Sequence, residues 1–255
     1  MKFTIVIPAR FHSERMPAKP LTDIHGKTML QHVWERALLT SAEKIIIATD
    51  HTEIEKVARG FGAEVCMTRP DHESGTDRLQ EVTSIFGYHE SRVIVNVQGD
   101  EPLIPVTAIE QVAEILLQNE EINVATLSTP INDSRDLLDP HTVKVVKNKD
   151  QFALLFSRAP IPWPRSDFGK DVKELTEPKF ASRHIGLYAY RVKILNDFVQ
   201  WPLSSIERLE RLEQLRFLFN GVKIMVHEAK EFVPEGVDTP NDLERVKNIL
   251  ANNHC

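Results

Sequence analysis

The stretch FTIVIPARFHSERMPAKPL, Phe3 to Leu21, decides how the chain is read. Phe3 to Ile7 is an apolar run of strand length, and Pro8, which has no backbone N–H to donate, predicts that the strand ends there. The loop beyond carries Arg10, Arg15 and Lys19 and contains no glycine. A strand running into a basic loop at the head of an α/β chain sets cations beyond the strand's carboxyl end, where such sheets bind ligands. Cradling phosphate with backbone N–H groups calls for glycines. This loop must instead use side chains, the planar fork of arginine and the point charge of lysine. A solvated charged loop would carry the same charges, but Pro8, Pro17 and Pro20 stiffen this one, which favours a task.

The charge is uneven. The 255 residues carry a formal net charge of −6, which argues against a nucleic-acid binder. In residues 1–30, Lys2, Arg10, Arg15, Lys19 and Lys27 stand against Glu14 and Asp23, a local +3, leaving −9 on the rest. A cationic patch on an acidic chain points to a small anionic ligand held at one place. The 42% hydrophobic and 27% charged fractions are those of an ordinary globular protein with a core of its own, in one large α/β domain or two small ones. No apolar run approaches the roughly 20 residues that span a bilayer, so no membrane partner is expected. Cys66 and Cys255 form neither a C-x-x-C nor a zinc spacing, and a reducing, cytoplasmic setting is expected.

Further along, His25-Gly26 reads as a turn. Thr28 reads as the cap of a helix with Met29, Leu30, Val33, Trp34, Ala37 and Leu38 on its apolar stripe. Strands at Lys44–Thr49 and Glu64–Thr68 flank a helix at Thr52–Gly60, and this β-α-β alternation predicts a parallel sheet. In the run His72 to Arg78, Ser74 reads as the cap of the next helix; a small-residue turn at a helix start suits ribose, base or phosphate, or is an ordinary cap. Arg92 to Val97 is the most apolar strand signal and is expected at the centre. It runs into Gln98-Gly99-Asp100-Glu101-Pro102, where a carboxylate would face the crevice and suit Mg²⁺, or merely form a turn. Glu101 reads as a second acid or a solvent-facing residue.

From Asn132 to about Tyr190 the pattern changes. Val143–Lys147 and Phe152–Ser157 predict a hairpin, followed by a proline-rich run, and residues 132–190 read as an insertion that leaves the main sheet to form a lid or a dimer contact. Arg158 precedes the prolines. Alternation over His184 to Arg191 sets His184, Gly186, Tyr188 and Tyr190 on one face. Ile206 to Phe219 predicts one helix with Leu209, Leu212, Leu215, Leu218 and Phe219 inward and Glu213 and Gln214 off that stripe. A strand at Val222–His227 and a last helix follow, with Asp238 ahead of the helix as a possible cap.

Separate blocks between Ala9 and Pro240 resemble the CMP-Kdo synthetases, the 3-deoxy-manno-octulosonate cytidylyltransferases: A-R-x-x-S-x-R-x-P-x-K-P-L from Ala9, H-x-S-G-T-D-R from His72, N-V-Q-G-D-E-P from Asn96, S-R-A-x-I-P-W from Ser157, H-x-G-x-Y-x-Y-R from His184, L-E-Q-L-R from Leu212 and G-V-D-T-P from Gly236. Met16 and Ala18 depart from the expected Leu and Gly without removing a charge. The resemblance covers essentially the whole chain and implies a single nucleotidyltransferase domain, residues 1–255, of the Rossmann-like nucleotide-diphospho-sugar transferase fold: a mostly parallel central sheet flanked by helices, with the inserted segment serving substrate and dimer contacts.

It further implies that CTP and 3-deoxy-D-manno-octulosonate (Kdo) give CMP-Kdo and pyrophosphate, for lipopolysaccharide assembly in a Gram-negative cytoplasm, in a homodimer. Carried over residue by residue, Asp100 and Asp238 would hold Mg²⁺, and Lys19, Arg10 and Arg15 would face the leaving pyrophosphate. Pro8, Ala9, Ser13, Ser74, Gly75, Thr76, Arg78 and Gln98 would join these cations and Asp100 around the nucleotide. Gln98, Arg158, His184, Tyr188, Glu213 and Gln214 would meet the sugar acid. Three rivals differ in recognisable ways. A CMP-sialic acid synthetase would open on a glycine-richer loop with its basic pair placed differently, and a hexose-1-phosphate nucleotidyltransferase on a glycine-rich loop. A non-catalytic CTP sensor would not need both Asp100 and Asp238.

Overall fold

The computed structural model describes residues 2–11, 16–72, 74–165 and 181–252. Strand β1 (Phe3–Ala9) is apolar on both faces and buried along almost its whole length. It does not stop at Pro8. Val6 accepts from the Val97 N–H, so Pro8, two residues on, faces the same side. The neighbour there has already ended, and the N–H that proline lacks has no partner to miss.

A single 3-10 turn at Lys19–Leu21 leads into a small hairpin, β2 (Asp23–Ile24) and β3 (Lys27–Thr28). Its two-residue turn, His25-Gly26, has positive φ at both positions (53° and 83°), as such turns demand. Helix α1 (Met29–Leu38) starts at Thr28, whose side chain accepts from the Gln31 N–H; Leu38, expected inward, lies half-exposed past the last buried turn.

β4 (Lys44–Thr49), α2 (Thr52–Gly60), β5 (Glu64–Met67), α3 (Gly75–Ile85), β6 (Val93–Asn96) and α4 (Val106–Gln118) complete the expected alternation. Then come β7 (Val124–Pro130), α5 (Ser134–Leu138), the hairpin β8 (Lys144–Lys147) and β9 (Ala153–Ser157), and the long β10 (Ser182–Arg191). Helices α6 (Val192–Phe198), α7 (Ser205–Glu210) and α8 (Gln214–Phe219), strand β11 (Ile224–Glu228) and α9 (Pro240–Asn252) finish the chain.

The main sheet runs β11-β7-β10-β6-β1-β4-β5, with β6 at its centre as expected. Only β10 runs against its neighbours along this path. The hairpin β8–β9 does not leave the sheet: β8 pairs with the first residues of β10, Ser182 against Val145, and extends it sideways. One face packs Ile5, Ile7 and Val95 against Val33 of α1 and Ile109 and Val112 of α4. The other packs Val6, Ile46 and Ile94 against Leu79 and Val82 of α3 and Leu195 and Phe198 of α6.

Residues 206–219 form two helices rather than one. Arg211 takes a left-handed φ of 52°, so the second helix starts on a new axis, Leu209 is left 84% exposed and Phe219 61%, while Phe217 goes inside. The joint is held by a buried ion pair: Arg216 donates through Nη2 to Glu207 Oε1 at 2.7 Å and through Nε to Oε2 at 2.9 Å, with its guanidinium over the Phe198 ring. Removing one member of a buried pair strands the other, so Arg216→Met should lower unfolding free energy by about 3 kcal/mol, whereas the double change Glu207→Met with Arg216→Met should recover most of it. Urea titrations of the three proteins check this.

Candidate active site

At the carboxyl edge of the sheet, the turn after β6 brings Asp100 to the loop after β1. The approach is close: a Cβ on Gly99 would lie 2.9 Å from the Pro8 carbonyl oxygen, so only glycine fits. The segment before α9 closes on the same point, the Val237 N–H donating to Asp100 O at 2.9 Å. Lys19 stands at the junction. Its ammonium donates to Asp100 Oδ2 at 2.6 Å, to the Val237 carbonyl at 2.7 Å and to Asp238 Oδ1 at 3.1 Å. Burial works against that charge, but the Asp100 carboxylate, and after it Asp238, outweigh burial and hold the lysine above its ordinary pKa. Asp238 is not the cap of α9; Thr239 and Asp242 exchange the capping bonds.

A crevice of about 320 Å³ at this edge collects Pro8, Ala9, Arg10, Lys19, Gly75, Gln98 and Asp100. The Arg10 guanidinium is partly desolvated and neighbours Arg78, which holds it below its ordinary pKa, and its Nη2 is buried with no hydrogen-bond partner among the described residues. Such a cation is suited to an anion. Ser74 opens α3 through a capping box, its hydroxyl accepting from the Asp77 N–H at 3.1 Å while Asp77 accepts from the Ser74 N–H at 2.9 Å. Thr76 donates to Glu213 Oε1 at 2.9 Å. Of the two residues lying off the apolar stripe in the sequence, Gln214 is buried and Glu213 half-buried, both at the start of α8. Burial pushes the Glu213 carboxyl upward in pKa, against the hydrogen bond from Thr76.

Arg78 is placed differently from the expectation. It is fully buried, bonds Asp50 Oδ2 at 2.8 Å and Thr68 Oγ1, and thereby ties α3 to the ends of β4 and β5 instead of facing the crevice. Ser13 and Arg15 lie outside the described residues.

A second cavity of about 580 Å³ adjoins the first on the β10 side, lined by Arg158 and His184 together with Glu101, Arg183 and Asp238. Arg158 is anchored by backbone carbonyls of Glu210 and Pro140, both at 2.8 Å. β10 makes an irregularity between Ile185 and Tyr188 that shifts the register by two and so preserves the face. The rings of His184, Tyr188 and Tyr190 form the expected row, 5.3 Å and 5.5 Å apart. The Thr126 hydroxyl lies within hydrogen-bonding distance of the bulge carbonyls of Ile185 and Leu187.

Two further residues stand beside these: Glu101, which the sequence left as a second acid or a solvent-facing residue, and Asn96, opposite Tyr188, which it did not single out. Glu101 is a partly enclosed carboxyl in a place made by Gly186 and Gly236, and burial, then the Asp100 charge, push it up to about 8. Asn96 ends β6 and is 1% exposed. Each is one polar residue in a turn or strand, so neither carries a periodic signal; adjacency to Asp100 was the only clue to Glu101.

Those features define a nucleotide-handling α/β protein whose basic loop and paired carboxylates meet at the carboxyl edge of a parallel sheet. The chain belongs to the cytidylyltransferase family, whose model matches residues 4–224. It is 55% identical over 98% of both chains to the 3-deoxy-manno-octulosonate cytidylyltransferase of Cellvibrio japonicus. It is 52% identical to that of Saccharophagus degradans, over 97% of this chain and 98% of the other. A solved CMP:2-keto-3-deoxy-manno-octonic acid synthetase complexed with CTP superposes with a TM-score of 0.88 at 42% identity, covering 99% of this chain and 100% of that one. A 4-diphosphocytidyl-2C-methyl-D-erythritol synthase, with a TM-score of 0.65 at 14% identity over 98% of this chain and all of its own, shares the fold.

Burial, with Arg183 beside it, depresses His184 to about 3, so the ring is neutral at ordinary pH and acts as a hydrogen-bonding group. The unfolded chain takes up this proton near the ordinary histidine value of about 6.5 while the folded chain does not, so stability falls as pH drops through 6.5 toward 3. A His184→Gln protein should therefore lose less stability than the native chain between about pH 7 and about pH 4.5, by on the order of a few kcal/mol. Denaturant unfolding at the two pH values measures the difference.

Proposed function

We infer that this chain transfers CMP from CTP to Kdo, giving CMP-Kdo and pyrophosphate, and so activates the sugar for lipopolysaccharide biosynthesis. The observation that carries the chemistry is the meeting of Lys19 with Asp100 and Asp238 beside a crevice holding an Arg10 nitrogen with no partner among the described residues. The near full-length likeness to named Kdo cytidylyltransferases supports the choice of sugar and disfavours the sialic acid and sensor alternatives.

In this reading the anomeric 2-hydroxyl of Kdo attacks the α-phosphorus of CTP in line. An O–P bond forms, the bond from the α-phosphorus to the bridging oxygen breaks, its electron pair leaves on pyrophosphate and the hydroxyl proton goes to solvent. Arg10 and Lys19 face the charge growing on the leaving group, a role the family resemblance also gives Arg15. Pro8, Ala9, Gln98 and the start of α3 (Ser74, Gly75 and Thr76) border the nucleotide, with Arg78 supporting from behind; the resemblance adds Ser13 to this set. Arg158, His184, Tyr188, Glu213 and Gln214 serve the sugar. Positioning and fixed charge do the catalysis, and no covalent nucleophile is required.

Asp100 and Asp238 would hold Mg²⁺. Their donor set fits: two hard carboxylates reach one cation, the Lys19 ammonium, and leave the other positions to phosphate oxygens and water. Once bound, the ion would polarise the α-phosphate and align the attacking hydroxyl. Among the described residues no group of three or more His, Cys, Asp or Glu forms an alternative metal site. The reading also takes the chain to be a homodimer, for which exposed Leu154 and Leu155 on β9 offer apolar surface, and to work in the cytoplasm, in keeping with the free, buried Cys66.

Purified protein with CTP and Mg²⁺ should release pyrophosphate with Kdo and not with N-acetylneuraminate, and EDTA should abolish release. Release with the sialic acid alone would overturn the sugar assignment. Asp100→Asn should slow turnover on the order of 10²–10³-fold. Without nucleotide, Lys19→Met removes the cation that competes for the two carboxylates, so Mn²⁺ titrated into the free protein should bind about tenfold more tightly than to the native chain. Electron paramagnetic resonance of free Mn²⁺ reads this without turnover.

A further inference from the structure

A row of residues crosses the sheet just below its carboxyl edge. Val6 of β1 stands opposite Asn96 of β6, Asn96 opposite Tyr188 of β10, Tyr188 opposite Thr126 of β7, and Thr126 opposite Val226 of β11. Directly opposed residues point to one face, so these five side chains form one line. Its ends are apolar and buried, its middle polar and buried. Thr126 is satisfied by the bulge carbonyls. The other two are not: both amide atoms of Asn96 and the hydroxyl of Tyr188 are buried with no hydrogen-bond partner among the described residues. The same is true of Gln214 Nε2, on α8, whose neighbour Glu213 bonds Thr76 at the start of α3.

A lone unpaired atom can be an accident of packing. Orphans on both β6 and β10, directly opposed and two residues short of Gln98 at the crevice, are a pattern. Asn96 follows Val93-Ile94-Val95, and an apolar side chain of its size would fill the place without stranding two polar atoms. The amide is explained if something else completes it. A side-chain amide offers a donor and an acceptor side by side, and adjacent hydroxyls of a polyol offer the matching acceptor and donor.

We propose that Asn96 is a specificity-determining residue of the acceptor pocket, its amide pairing with hydroxyls of the polyhydroxylated sugar acid beside Tyr188. The inference rests on the proposed acceptor and adds to it a residue from the central strand. A pocket built this way rejects an analogue lacking the matching hydroxyl, because binding it would leave the amide stranded.

The test is steady-state pyrophosphate release by the native protein, Asn96→Leu and Asn96→Ala, with Kdo and CTP varied separately, alongside thermal unfolding. The KM for Kdo should rise at least about tenfold in both variants while the KM for CTP stays within about twofold, and the leucine protein should be no less stable than the native one. An unchanged KM for Kdo in either variant would overturn this inference alone. So would a fall in stability in both variants with parallel loss toward both substrates, which marks a structural asparagine. No release from the native protein with Kdo would overturn the acceptor assignment itself, and this inference with it.

Discussion

The contact on which the site depends is one ammonium shared by two carboxylates. Lys19 comes from the first loop, Asp100 from the turn after the central strand and Asp238 from the segment ahead of the last helix, so a single cation joins segments more than 200 residues apart. Exposed ion pairs contribute little because water screens them and long side chains resist being held. Here the Lys19 side chain is only 12% exposed and a backbone carbonyl fixes its third direction, so the geometry is set before any ligand arrives. The uneven charge of the chain acquires a location: basic residues of the opening segment face acids supplied by the remainder.

Holding those segments at bonding distance is the work of the sheet edge. β1 outlasts β6 by one side of its pairing, and Pro8 occupies the very position whose missing N–H has no neighbour. Gly99 then brings the acidic turn against the Pro8 carbonyl. A side chain there would clash with that carbonyl and shift the turn that carries Asp100. The antiparallel β10 has a related use. Its reversal carries His184 toward the carboxyl edge and Tyr190 below it, and its irregularity lets Thr126 hold two carbonyls without turning the aromatic row over.

Much of this was legible from residue order because local and long-range preferences agree. Thr28 and Ser74 cap the helices they precede, His25-Gly26 turns, and the β-α-β rhythm needs a parallel sheet. The misreadings have physical causes. Apolar periodicity continues smoothly through residues 206–219, and nothing in it reveals that Arg211 adopts a left-handed conformation, which an arginine seldom does. Arg78 sits in a motif that resembles a ligand loop, yet Asp50, 28 residues away, captures it. The hairpin looked separate because sequence does not show which sheet edge will accept a strand. Asn96 was hidden for the opposite reason, since a single polar residue has no period, and for the same reason Glu101 could not be told from a solvent-facing residue.

The two buried polar groupings on the α8 side can be set against each other. Glu207 and Arg216 satisfy one another through several short bonds and a ring, and they fix where α8 begins. A few residues away, Gln214, Tyr188 and Asn96 hold buried polar atoms with nothing among the described residues to bond them. A fold selected for stability alone would have exchanged the second set for apolar side chains, since an unmatched buried polar group costs about 1–3 kcal/mol. The satisfied pair is therefore best understood as the support that lets the unsatisfied set persist. Rigid neighbours prevent the orphaned groups from collapsing onto one another, and a polar ligand of matching pattern finds them already aimed.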